Sequence, residues 1–103
     1  MTMLTKENFN NTLESTSGLL VIDLYADWCY PCKMLSPTLS ELESEYPEVS
    51  FFKTNVDEEP ELAALFKVSS IPMVAFVKDN VFLDFTVGVV PKDELKGKID
   101  SLK

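Results

Sequence analysis

The sequence predicts an α/β fold in which a central mixed β-sheet carries helices on both faces. Three observations point to it. Short apolar runs alternate with helical patterns along the whole chain. The run Leu19–Ala26 is apolar at both alternating sets of positions, the mark of a strand covered on both sides. Two later runs, separated by Lys78-Asp79-Asn80, read as a hairpin. With 103 residues, 46% of them hydrophobic, and no linker or repeat to divide it, the chain is expected to form one domain over residues 1–103.

Each element has its own signal. Thr5 is placed to cap a first helix running through about Glu14, with Phe9 and Leu13 four apart on one face. Gly18 turns the chain into the central strand, where Leu19, Val21 and Tyr25 face one way and Leu20, Ile22 and Leu24 the other. A helix follows from about Pro31 to Tyr46, then a strand from Ser50 to Val56 that carries Phe51, Phe52 and Val56. Glu58 to Phe66 reads as a short helix with Leu62, Leu65 and Phe66 on one face. Strands at about Met73–Val77 and Val81–Val87 meet at Asp79-Asn80, and Gly88 closes the second. Pro91 to Leu102 reads as a terminal helix with Pro91 in its first turn. The order is βαβ followed by ββα.

Charge excludes several function classes. Acidic residues outnumber basic ones 17 to 9, a formal charge of −8 that repels phosphate backbones and anionic lipid, with no Lys/Arg stripe to offset it. Nucleic-acid and membrane partners are not expected. The first twenty residues carry one cation, Lys6, and are interrupted by Asn8, Asn10 and Asn11, unlike a secretory signal. The expectation is a soluble, cytoplasmic monomer, with a mature exported form as the other possibility.

The two cysteines carry the chemistry. Cys29 and Cys32 are separated by two residues, in a chain large enough to need no staple. With no histidine in the chain, Cys-His and Ser-His mechanisms fall away, and two cysteines alone cannot supply the four ligands of a structural zinc. A purely structural disulfide across so short a loop would contribute roughly 2 kcal/mol or less. The pair sits where the central strand ends and a helix begins, so free backbone N–H groups and the positive end of the helix dipole face the sulfurs and favour thiolate. Pro31 suits the first helical turn. Cys32 falls on a stripe with Leu35, Leu39 and Leu42, whereas Cys29 precedes the helix. Cys29 is therefore expected to be an exposed attacking thiolate and Cys32 a buried resolving thiol, with the Cys29–Cys32 disulfide as the only redox group.

Resolution needs a proton acceptor. Asp23 is a carboxylate in an otherwise apolar strand, and burial would raise its pKa into the range useful for a general base. Lys53, on the neighbouring strand, is its candidate charge partner. The alternative for Asp23 is an edge position facing solvent.

Asp23-Leu24-Tyr25-Ala26-Asp27-Trp28-Cys29-Tyr30-Pro31-Cys32-Lys33, with Pro37 and the distant Ile71-Pro72, resembles the thioredoxin family over about Phe9 to Leu102. The resemblance implies a protein disulfide reductase, recharged by a flavin-dependent thioredoxin reductase that draws on NADPH. It implies a cis Pro72 beside the disulfide, and a substrate groove formed by Ile71, Pro72, Trp28 and Gly88 with Tyr30 and Pro31. It also matches Asp23 and Lys53 to a buried acid and its partner. For Trp28 the alternative is simple packing. Four positions depart from the family pattern. Tyr30 replaces a glycine, Met73 a threonine, and Asp79-Asn80 an asparagine-glycine turn, while Tyr25 stands where tryptophan is frequent. Tyr30 bears on the reduction potential and leaves a disulfide oxidant or isomerase as the second reading. A redox-inert interaction module is the third.

Overall fold

A computed structural model describes residues 1–103. Its centre is β2 (Leu19–Tyr25), buried at its first six residues as the double-sided apolar pattern predicts. It pairs in parallel with β3 (Ser50–Asn55) on one side and antiparallel with β4 (Met73–Lys78) on the other. Beyond β4 lies β5 (Val81–Val87), joined to it by Asp79 and Asn80, both at positive φ as a tight hairpin turn of that hand requires. The other edge is β1 (Thr2–Met3), parallel to β3, and the full order is β1-β3-β2-β4-β5.

The two faces of β2 are used as the alternation predicts. Leu19 and Val21 pack under α2 (Tyr30–Glu45) and α4 (Lys92–Leu102), in one core with Leu35, Leu39, Leu42, Leu95 and Ile99. Leu20, Ile22 and Leu24 form the opposite core, with Phe9 and Leu13 of α1 (Phe9–Ser15) and Leu62 of α3 (Pro60–Leu65). Each fully buried leucine or isoleucine in these layers contributes roughly 1.5–3 kcal/mol. Asp23 shares the parity of Val21, so its side chain points toward α2.

Three local expectations are corrected. The first helix starts at Phe9, not after a Thr5 cap. Thr5 N–H donates to Asn8 Oδ1 at 2.8 Å and Asn8 N–H to Thr5 Oγ1 at 3.3 Å, closing a separate turn ahead of α1. Asn8 stands at the N-cap with its side chain already engaged there, so it caps nothing. The Glu58–Phe66 helix shortens to Pro60–Leu65, because Asn55 Oδ1 accepts the N–H groups of Asp57 and Glu58 and holds that stretch as a turn. The strand β1 was not expected at all.

Candidate functional site

The site forms where β2 hands over to α2. The Cys29 N–H donates to Ala26 O at 3.2 Å, which turns the chain, and Cys29 becomes the N-cap of α2. Its Sγ accepts the Cys32 N–H at 3.2 Å, so a sulfur fills the place of the usual capping oxygen. Pro31 occupies the first turn, where no intrahelical donor is needed. Cys29 and Cys32 are joined as a disulfide, with Cα atoms 5.3 Å apart.

The expected contrast in exposure between the cysteines is absent. Cys29 is 3% and Cys32 4% exposed, because in the oxidised form both pack with Ala26 against Tyr25, Val56 and Ile71. The asymmetry lies in the backbone: Cys29 precedes the helix and takes an N–H bond, while Cys32 lies on the inward stripe with Leu35, Leu39 and Leu42.

Ile71 touches the cysteine cluster, and the Ile71-Pro72 peptide is cis. Gly88 N–H donates to Pro72 O at 2.8 Å, tying the end of β5 to this loop. Gly88 has φ +87 with no neighbour near its Cβ direction, so backbone conformation and not space calls for glycine. Trp28 and Tyr30 stand on the surface, each 71% exposed, so core packing does not explain Trp28. The Trp28 Nε1–H donates to Asp57 Oδ2 at 2.8 Å. Sequence reasoning missed Asp57; its signal was the Asn55 turn that places it across from the tryptophan.

Behind the disulfide lies a cleft of about 340 Å³ whose lining includes Asp23, Tyr25, Asp27, Cys32, Lys33 and Lys53. Asp23 is interior and not at an edge: it is 4% exposed, between Lys53 of β3 and Val74 of β4. Burial pushes its carboxyl up to about 7, while the Lys53 charge pulls the other way. Asp23 Oδ1 has no hydrogen-bond partner. The predicted Asp23–Lys53 contact is only electrostatic. None of the ion pairs involves Asp23, and Lys53 Nζ lies 6.0 Å from the centroid of the Tyr25 ring. No group of three or more Cys, Asp or Glu side chains is arranged to hold a metal ion.

Known proteins share this arrangement. The Thioredoxin family model matches residues 1–101. A thioredoxin of Chlamydia caviae is 45% identical over 89 residues, covering 86% of this chain and 85% of that one. A thioredoxin of Staphylococcus haemolyticus is 40% identical over 97 residues, 93% of this chain and 91% of that one. The crystal structure of Fasciola hepatica thioredoxin superposes with a TM-score of 0.93 at 33% identity, over 100% of both chains. A disulfide-forming cysteine pair at the head of α2, in a fold that matches along its whole length, leaves one assignment: the chain belongs to the thioredoxin family and is a dithiol-disulfide oxidoreductase.

Proposed function

We propose that the protein works as a reductant of protein disulfides, acting as one domain over residues 1–103. The observation that supports this reading is a cleft lined by both Cys32 and the buried Asp23, whose raised carboxyl pKa suits it to accept a proton from Cys32 as resolving thiol. In the reduced enzyme the Cys29 thiolate attacks one sulfur of a substrate disulfide. A Cys29–substrate bond forms, and the first substrate sulfur leaves and takes up a proton. Asp23 then accepts the Cys32 proton, and the Cys32 thiolate attacks Cys29. The mixed disulfide breaks, the Cys29–Cys32 bond forms, and the second substrate sulfur leaves as thiol. Two electrons pass from the enzyme dithiol to the substrate.

The substrate side is the rim around Cys29. Trp28, Tyr30 and Pro31, beside Cys29 in the chain, are exposed, Ile71 packs against the cysteines, and Gly88 at the end of β5 is tied to Pro72 by its N–H; these support a groove at the disulfide. An extended segment bearing the target disulfide lies in that groove. Electrons return from a flavin-containing thioredoxin reductase that draws on NADPH, as the family resemblance implies, with no cofactor beyond the disulfide. The same resemblance favours the cytoplasm as the working compartment. A charge of −8 disfavours self-association and anionic partners and suits a monomer.

Trapping tests the order of attack. Cys32→Ser should accumulate a covalent adduct with a disulfide substrate through Cys29, and Cys29→Ser should accumulate none. Adducts formed through Cys32 in the Cys29→Ser protein, and not through Cys29, would reverse the assignment.

A further inference from the structure

Lys53 has two places to put its ammonium. It stands beside Asp23 in register across β2 and β3, and both residues line the cleft behind the disulfide. A buried carboxylate next to a lysine ordinarily draws the cation into a close pair, because an isolated charge in a low-dielectric site is costly. Here every ion pair within 4.0 Å joins other residues, and Asp23 Oδ1 is left without a donor. The ammonium lies instead 6.0 Å from the Tyr25 ring centroid, at the reach of a cation–π contact.

The ring is fixed in that position. Tyr25 is the last residue of β2, two along from Asp23 and therefore on the same face of the sheet. Its ring packs against the Ala26, Cys29 and Cys32 cluster, and its hydroxyl meets Met3 Sδ of β1 at 3.6 Å. Burial first, then the charges of Asp27, Glu58 and Asp23, raise its phenol pKa, so the ring stays neutral.

We propose that Tyr25 is a positioning residue: its ring holds the Lys53 ammonium off Asp23 and so leaves the carboxylate free to take the Cys32 proton. The inference rests on the reading of Asp23 as the base. Even a weak contact of this kind can decide the outcome, because the rival ion pair is close to balanced. Moving the ammonium against Asp23 trades a Coulombic gain for the loss of its hydration, and these terms largely cancel at buried sites. A close pair would stabilise the carboxylate and lower its pKa by about 1–3 units, making Asp23 a poorer base for a thiol. The other charges lining the cleft with Asp23 are Lys33 on α2 and Asp27 in the turn after β2; Glu58, beyond β3, bears on the Tyr25 ring, and the β4 residue opposite Asp23 is the uncharged Val74.

The test is a carbon-13 NMR titration of the Asp23 carboxyl in the oxidised protein, where neither cysteine titrates. Tyr25→Leu should lower the midpoint by about one unit or more as Lys53 closes on Asp23. Tyr25→Phe, which keeps the ring, should leave it in place. Tyr25→Leu placed in a Lys53→Met background should not move it, because no ammonium remains to approach. An unmoved midpoint in folded Tyr25→Leu overturns the proposal. So does a downward shift that persists in the Lys53→Met background, since that would mean added hydration and not lysine movement. Should Tyr25→Leu fail to fold, the wild-type protein carries the test: the Lys53 Hε protons must show an upfield ring-current shift, and its absence overturns the proposal. The pH profile of mixed-disulfide resolution separates the two readings. A carboxyl midpoint that moves while the resolution profile stays fixed supports the positioning role and removes Asp23 as the base.

Discussion

Asp23 and Lys53 are direct cross-strand partners in the parallel pair of β2 and β3, and no ion pair joins them. Asp23 therefore holds its proton up to about 7 in the fold, against an ordinary value of 3.8, chiefly because it is buried. Since the folded pKa is the higher one, the folded state binds the extra proton. Stability is greatest at the acid end and is lost as pH rises through the folded value. Asp23→Asn removes this dependence. The oxidised variant should exceed the wild type in stability by up to about 4 kcal/mol at pH 8 and by much less at pH 4. Denaturant unfolding at both pH values measures the difference, and parallel pH curves for the two proteins would contradict it.

The hydrogen bond from Trp28 to Asp57 is on the surface, so it orders an exposed ring without holding the core. Asp57→Ala should leave the unfolding midpoint unchanged and raise KM for a protein disulfide with kcat nearly constant. Because Trp28 is the only tryptophan, its fluorescence anisotropy should fall in the same variant. A kcat effect without a change in anisotropy would reject this role.

Tyr30 is 71% exposed at the first position of α2, away from the packed face of the disulfide. Tyr30→Gly should shift the reduction potential by no more than about 10 mV, a small part of the roughly 30 mV that changes the equilibrium tenfold. It should lower kcat/KM for a protein substrate about fivefold, as expected for roughly 1 kcal/mol of lost apolar contact. Equilibration against a dithiol buffer, beside steady-state kinetics, distinguishes a substrate contact from a tuning residue.

Leu39 has no exposed surface and lies on the α2 stripe that covers Leu19, Val21 and Phe76. Leu39→Ala should cost about 3 kcal/mol through lost burial and a residual cavity. Chemical denaturation reads it, and a loss below 1 kcal/mol would mean that α2 is packed more loosely than its contacts indicate.

The parts of the fold legible in the sequence were those with a strong local pattern. β2 showed itself because both alternating sets are apolar, and the hairpin because Asp79-Asn80 supplies two residues tolerant of positive φ. β1 could not be seen: two residues carry no periodicity, and they form a strand only because β3 offers an open edge. Thr5 misled because its partner, Asn8, is three residues away and closes a turn of its own. In the site, spacing exposed Cys29 and Cys32, and an acid in an apolar strand exposed Asp23. The equal burial of the two sulfur residues depends on Ile71, 39 residues beyond Cys32. The placing of Lys53 depends on the Tyr25 ring, and that of Trp28 on Asp57. Those are contacts between elements, and no local pattern encodes them.

The direction of electron flow rests on how tightly the protein holds the Cys29–Cys32 bond. The reduction potential of that couple, measured by equilibration with a dithiol/disulfide buffer, therefore tests the account most directly. A value near about −270 mV is predicted for a reductant of protein disulfides. A value near about −180 mV or above would contradict it and assign the protein to disulfide formation or isomerisation.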